Sequence, residues 1–182
     1  DWGAIMQAFG FIRPLDVDRD APALHQVFGD EESCRYLPRP AQKSVEDTAQ
    51  LIKGWYDQCP DTEWALIEEA DGPCLGRITL IPSGDGVFEA GCVVVPSARG
   101  RGLAHKGLGE AIDWVFERKN ARRIFADIDP DNIASIRTFE KLGFRREGLH
   151  RATMETHIGV RDSVIMGLIN TDPRPWRSES GA

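Results

Sequence analysis

The chain reads as an α/β protein built on a mixed, mostly antiparallel sheet with one parallel strand pair and helices on both faces. Three observations predict this. Two turn segments, Asp71-Gly72-Pro73 and Ser83-Gly84-Asp85-Gly86, separate three β-rich runs at hairpin spacing. The third run, ending Val93-Val94-Val95, leads through a glycine-rich loop into a segment of about 102–119 in which Leu108, Ala111, Ile112 and Val115 share one helical face. The short β run "RRIFADID" follows, and a strand, helix, strand crossover of this kind joins parallel neighbours.

The elements follow in order. A strand is expected at Phe9–Arg13, ahead of Pro14, and a helix is expected to open at Asp20 with Pro22 in its first turn, running through Phe28 to a stop at Gly29. Ser44, with Asp47 three residues on, resembles a capping box with Asp in place of Glu. It opens a second helix in which Val45, Ala49, Ile52, Trp55 and Tyr56 share a face. Strands at 63–70, 74–82 and 87–96 form consecutive hairpins. After the long helix and "RRIFADID", the segment "DNIASIRTFEKLGF" is a helix closed by a left-handed Gly143. Two strands near Phe144–Glu155 and Ser163–Ile169 complete the sheet. Residues 1–8 are set aside as a frayed or extraneous N-terminus, 9–170 form a single domain, and 171–182 a polar tail.

Composition narrows the function. A net charge of −7 would repel a phosphate backbone, so nucleic acid is not the expected partner. The four cysteines lie far apart with no C-x-x-C pair, which argues against a zinc or other metal site and for free thiols in a reducing cytoplasm. No run of eighteen apolar residues occurs and the N-terminus lacks the form of a signal peptide, so a soluble, cytoplasmic protein is expected, with no membrane partner.

The loop "ARGRGLAHKG" carries the chemistry. A Walker loop would need G-x-x-x-x-G-K-[ST], which is absent, and a dinucleotide fingerprint starting at Gly100 finds His105 where its third glycine belongs. Arg99-x-x-Gly102-x-Ala104 fits a diphosphate cradle instead. Backbone N–H groups at a helix start point at an anion, and small residues let it come close. Arg99, Arg101 and Lys106 add positive charge to an otherwise acidic chain.

With this loop, "GRITLIP", "ARRIFADIDPDNIASIRTFEKLGFRREG" and "RDSVIMGLI", nearly the whole chain resembles the GNAT superfamily of acetyl-CoA-dependent acetyltransferases, most closely its RimJ/RimL branch. The resemblance implies a GNAT-like fold in which the strand ending Val93-Val94-Val95 splays from its parallel neighbour. Backbone groups freed there would pair with the pantetheine arm and acetyl carbonyl. It implies acetyl-CoA as co-substrate and a cofactor-binding set of Val93, Val94, Val95, Arg99, Gly100, Arg101, Gly102, Leu103, Ala104, Asn132, Ser135 and Phe139. It also suggests a homodimer.

Acetyl transfer to an amine needs a base for the nucleophile, a donor to the developing oxyanion, and a proton for the departing thiolate. Glu89, two residues before Gly91 and matching an acidic residue common in the RimJ/RimL branch, is the expected base, acting directly or through water. Alternation of Val87, Glu89 and Gly91 equally lets it face solvent. Glu155 is the reserve candidate. Many superfamily members carry a proton-donating tyrosine where this chain has Phe139; the RimJ/RimL branch instead shows N-x-x-S, matched by Asn132 and Ser135, and that resemblance implies Ser135 as the catalytic acid with Asn132 beside it on coenzyme A, unless the thiolate leaves unprotonated. The alternative for both is helix capping and solvation. Trp55, Trp64 and Trp114 read as core. Asp30, Glu31, Glu32 and Asp47 read as a solvated acidic face that would also suit a basic substrate.

The expected activity is therefore N-acetylation of a primary amine, either a protein N-terminus or a small molecule, by direct attack in a ternary complex. The alternatives are a non-catalytic acyl-CoA-binding or regulatory domain, to which Phe139 points, and a transferase of a different acyl group. Acceptor choice carries no readable motif.

Overall fold

The structure, a computed structural model, describes residues 10–178. Seven strands form one sheet in the order β1-β2-β3-β4-β5-β7-β6. They are β1 Ile12–Pro14, β2 Glu63–Leu66, β3 Gly76–Pro82, β4 Val87–Val94, β5 Arg123–Ile128, β6 Arg145–Thr156 and β7 Gly159–Ile169. Every pairing is antiparallel except β4 with β5. The four α-helices are α1 Val17–Phe28, α2 Val45–Tyr56, α3 Leu103–Arg118 and α4 Ile133–Lys141.

Strand alternation sorts the side chains into two cores. Trp64, Leu66, Ile78, Leu80, Phe88 and Ala90 join α3 and α4 residues on one face. Ala65 packs with Leu24, Phe28 and Ile52 of α1 and α2 on the other. On the α3 face Trp64 meets Trp114 edge to face, ring centroids 5.5 Å apart. At Gly107 a methyl group would lie 2.5 Å from Leu66 and 2.6 Å from Ile78, so α3 sits close against the sheet.

Several boundaries differ from expectation. Phe9 lies outside the described residues, and β1 runs to Pro14 at the sheet edge, where a missing N–H is tolerated. Asp16, not Asp20, caps α1, accepting the Arg19 N–H at 3.1 Å. Asp20 sits a turn further in, buried against Arg13 at 2.6 and 2.8 Å and accepting the Asp16 N–H. Pro22 therefore stands inside the helix. Ser44 caps α2 through the Asp47 N–H as expected. The strand expected over 63–70 ends at Leu66. Gly143 takes the left-handed φ of +84° expected after α4. The polar stretch beyond Ile169 docks: Trp176 is buried against Gly109 of α3, and its indole N–H donates to Asp113 at 3.0 Å.

Candidate active site

β4 and β5 pair only through Val87↔Arg123, Phe88↔Ile124 and Glu89↔Phe125. Beyond them β4 stays with β3 and β5 stays with β7, so the two strands part. The Val95 N–H bonds the Leu75 carbonyl, whereas the Gly86 carbonyl accepts from Arg123. By the alternation of an antiparallel ladder, the backbone groups of Phe88, Ala90, Cys92 and Val94 therefore face β5. Those of Ala90, Cys92 and Val94 open on the gap. Of the three predicted valines only Val94 offers its backbone there, through its N–H, since Arg99 takes its carbonyl; Val93 and Val95 turn theirs toward β3, and the Val95 side chain is buried in the core.

At the end of the gap the glycine loop bends into α3. Gly100 and Gly102 have φ of +77° and +72°, a region that favours glycine, and nothing lies within 4 Å of a methyl group placed on either. Gly102 caps α3 with no side-chain hydrogen bond, leaving the first turn, with buried Leu103 and half-buried Ala104, to be met by backbone chemistry alone. The basic side chains around it are already engaged. Arg99 donates to the Val94 carbonyl at 3.0 Å and to Ser33 at 2.8 Å, Arg101 pairs with Glu68 at 2.9 Å, and Lys106 lies over the Phe11 ring.

A cavity of about 410 Å³ lies against the gap on the α1 and α2 side, lined by Gly91, Cys92 and Val93 from β4, by Asp127 and Ile128 from β5, and by Asn132, Ser135 and Phe139 from α4. Asn132 caps α4 by accepting the Ser135 N–H at 3.3 Å. Phe139 is buried edge-on to Phe144, 4.9 Å between centroids. Burial pushes the Cys92 thiol up to about 12, which keeps it protonated near neutrality.

Glu89 stands at the last paired position before the gap. It is half-buried, and burial, then the charge of Asp127, raises its pKa above the ordinary glutamate value. Its side chain shares a face with Gly91 and Val93, away from α3, but it does not line the cavity itself. Glu155 is exposed near the β6–β7 turn, opposite Val160, and is absent from the cavity lining. Glu31 and Glu32 border a separate shallow pocket with His157 and Ile158.

Sequence reading missed the polar floor. Arg77 donates to Glu63 at 2.7 and 2.5 Å, Thr79 donates to the same carboxylate at 2.8 Å, and all three are buried. Trp55, expected in the core, instead lines the cavity with the Arg77 guanidinium 4.7 Å from its ring. Asp129, also on the lining, is clamped by Arg161 at 2.7 and 2.8 Å, which lowers its pKa. The visible signal was charge on the strand face opposite the aliphatic one: Glu63, Arg77 and Thr79 alternate with Trp64, Ile78 and Leu80.

A sheet parted between parallel strands, with a glycine-opened helix start at the end of the gap, defines the class of acyltransferases that lay a coenzyme A thioester along a strand. Residues 11–145 match the acetyltransferase (GNAT) domain family, and the chain belongs to it. It is an acetyl-CoA-dependent acyltransferase by that membership. It is 28% identical over 140 residues to the spermidine N(1)-acetyltransferase of Escherichia coli K12, covering 75% of this chain and 73% of that one. A GNAT acetyltransferase from Bacillus anthracis superposes with a TM-score of 0.79 at 23% identity, over 88% of this chain and 95% of the other. Mycobacterium smegmatis RimJ, solved with CoA-disulfide, gives 0.74 at 20%, over 93% and 88%. Among the described residues no helix is long and apolar enough to cross a membrane, and no cluster of His, Cys, Asp or Glu is disposed to hold a metal.

Proposed function

We propose that the chain acetylates a primary amine by direct attack in a ternary complex, with the donor lying in the β4–β5 gap. The observation that carries this is the end of strand pairing at Glu89↔Phe125, which leaves a row of backbone hydrogen-bonding groups opposite no strand. The residues fit acetyl-CoA: the open space at Gly100 and Gly102 admits a diphosphate to the α3 N-terminus, and the gap offers an edge for an extended amide-bearing arm. When bound, the coenzyme supplies an acetyl group activated as a thioester.

The chain supplies the rest. Backbone N–H groups of Leu103 and Ala104 hold the diphosphate, supported by the backbone of Arg99, Gly100 and Arg101, whose arginine side chains brace the loop through Val94, Ser33 and Glu68. Backbone groups of Ala90, Cys92 and Val94 align the arm, and one of these N–H groups donates to the oxygen that gains charge. Glu89 takes the proton of the amine, directly or through a water, its raised pKa bringing it nearer the working range of a base. Ser135 gives a proton to the departing sulfur and Asn132 orients it, while buried Phe139 packs behind them. Neither cavity cysteine serves as a nucleophile, because burial raises the pKa of both Cys34 and Cys92. RimJ among the structural neighbours and the N-x-x-S pattern at Asn132 and Ser135 support a place in the RimJ/RimL branch. The same reading takes in a homodimer, on resemblance, and a cytoplasmic setting, supported by four free cysteines.

The test is thiol release from acetyl-CoA across a panel of primary amines, beside calorimetry with coenzyme A. Turnover on at least one amine is expected. Binding without turnover on any of them would support the non-catalytic reading that Phe139 motivates, and absence of binding would remove both.

A further inference from the structure

We infer that Arg77, with Arg39 at the cavity mouth, selects an acceptor whose amine is accompanied by a carboxylate, so that the substrate is an apolar amino carboxylate and not a polyamine. The inference rests on the transferase reading above and concerns the same cavity.

Arg77 directs Nε and Nη2 to Glu63, while Nη1 has no hydrogen-bond partner among the described residues. The residue is only 8% exposed and lines the cavity. Nη1 is not among the sealed, unpaired polar atoms of the fold, so what exposure it has is toward that space. A guanidinium with a donor left over presents it in a fixed plane, the geometry that suits a carboxylate. The Trp55 ring beneath the guanidinium and the Glu63 carboxylate in its fork hold that plane still.

The other charges of the lining divide in the same sense. Arg39 is exposed and makes no hydrogen bond or ion pair among the described residues. Asp129 is neutralised by Arg161, which leaves Asp127 as the cavity carboxylate with no cation on it. Asp127 belongs to β5, on the side of the gap and of Glu89, whereas Arg77 belongs to β3 on the far side of β4. An ammonium drawn to Asp127 and Glu89 and a carboxylate drawn to Arg77 and Arg39 describe one molecule lying across β4. With Arg77–Glu63 and Asp129–Arg161 each neutral as pairs, the lining offers one unpaired carboxylate, Asp127, and one unpaired guanidinium, Arg39, a balance that matches an amino carboxylate and leaves the second ammonium of a polyamine without a counter-charge. Phe28, Leu37, Leu51 and Trp55 supply an apolar wall for the remainder of the acceptor.

The experiment compares L-phenylalanine, its amide, phenethylamine and spermidine as acceptors at saturating acetyl-CoA. The intact protein is expected to favour phenylalanine over phenethylamine by about 10- to 100-fold in kcat/KM, the range of one or two hydrogen bonds to a charged group. Arg77→Met alone would strand the buried Glu63, and Glu63→Leu would in turn strand the Thr79 hydroxyl, so the variant is made as Arg77→Met, Glu63→Leu and Thr79→Val together. The exposed Arg39→Ala provides a second variant that leaves the core untouched. Both are expected to shrink the ratio of phenylalanine to phenethylamine kcat/KM, read within each variant, by at least about 5-fold, while coenzyme A affinity stays within about 2-fold. Faster turnover of phenethylamine, the amide or spermidine by the intact protein, or an unchanged preference in both variants, overturns the inference and leaves the transferase reading standing. No turnover on any amine overturns the transferase reading itself.

Discussion

At the scale of single residues, Glu89 combines a position of use with a cost. Its pKa is raised by burial first and by Asp127 second, so the folded protein favours its protonated form more than the unfolded chain does. A base works ionised, so kcat should fall on acidification with a midpoint above the ordinary glutamate value of about 4.3. Glu89→Gln should remove that acid limb and lower kcat by about 100-fold or more, which a pH–rate profile reads directly. The sign for stability is opposite. With the folded pKa above the unfolded one, this residue's contribution is fully present at low pH and is lost as pH rises through the folded pKa. Glu89→Gln should therefore melt higher than the unsubstituted protein at neutral pH and at the same temperature near about pH 3, where both forms are neutral. Equal melting temperatures at neutral pH would mean that Glu89 carries no burial penalty.

At the scale of elements, the loop before α3 separates two requirements that one motif fulfils. Gly102 is needed for its backbone, since a side chain at φ +72° costs about 1 kcal/mol although the space around it is open. Ala104 is needed for its size and neutrality in the first helical turn. Gly102→Ala should thus lower stability by about 1 kcal/mol in chemical denaturation. Ala104→Glu should weaken coenzyme A binding at least about 10-fold by charge and bulk, with little change in melting temperature. This loop was legible in the sequence because its chemistry is local, as were the Ser44 cap, the Gly143 stop and both hairpin turns. The polar floor was not, because Glu63 and Arg77 meet only through the register that sets Glu63 opposite Thr79. The α1 cap was misread because Pro22 imitates a helix start, while the true cap at Asp16 depends on Arg13 holding Asp20 in place. The backbone directions of Val93, Val94 and Val95 are invisible in a run of identical residues and follow only from the partner of Val95.

At the scale of the whole molecule, the two ends of α3 have separate duties. Its N-terminus opens on the gap, and its C-terminal half is gripped by the chain after the last strand. Arg174 donates to Asp113 at 2.8 Å and stacks on Phe116, Arg177 reaches both Asp113 and Glu117, and Trp176 closes over Gly109. Carboxylates on this helix thus hold a basic strap in an otherwise acidic protein, and the Trp176 ring seals the core beneath it. Trp176→Ala removes a large buried side chain and should cost about 3–5 kcal/mol, a loss that urea titration measures. Raised salt should reproduce only a small part of it, because ion pairs as exposed as Arg177 with Glu117 are screened. The glycine loop lies nearly two turns of helix before Gly109, and it is set by Gly100, Gly102 and the Val94–Arg99 contact, none of which touches the strap. The KM for acetyl-CoA of the folded Trp176→Ala protein should accordingly stay within about 2-fold of the original. A larger rise would mean that the strap fixes the attitude of the whole helix, and that the coenzyme site and the C-terminal segment act as one unit.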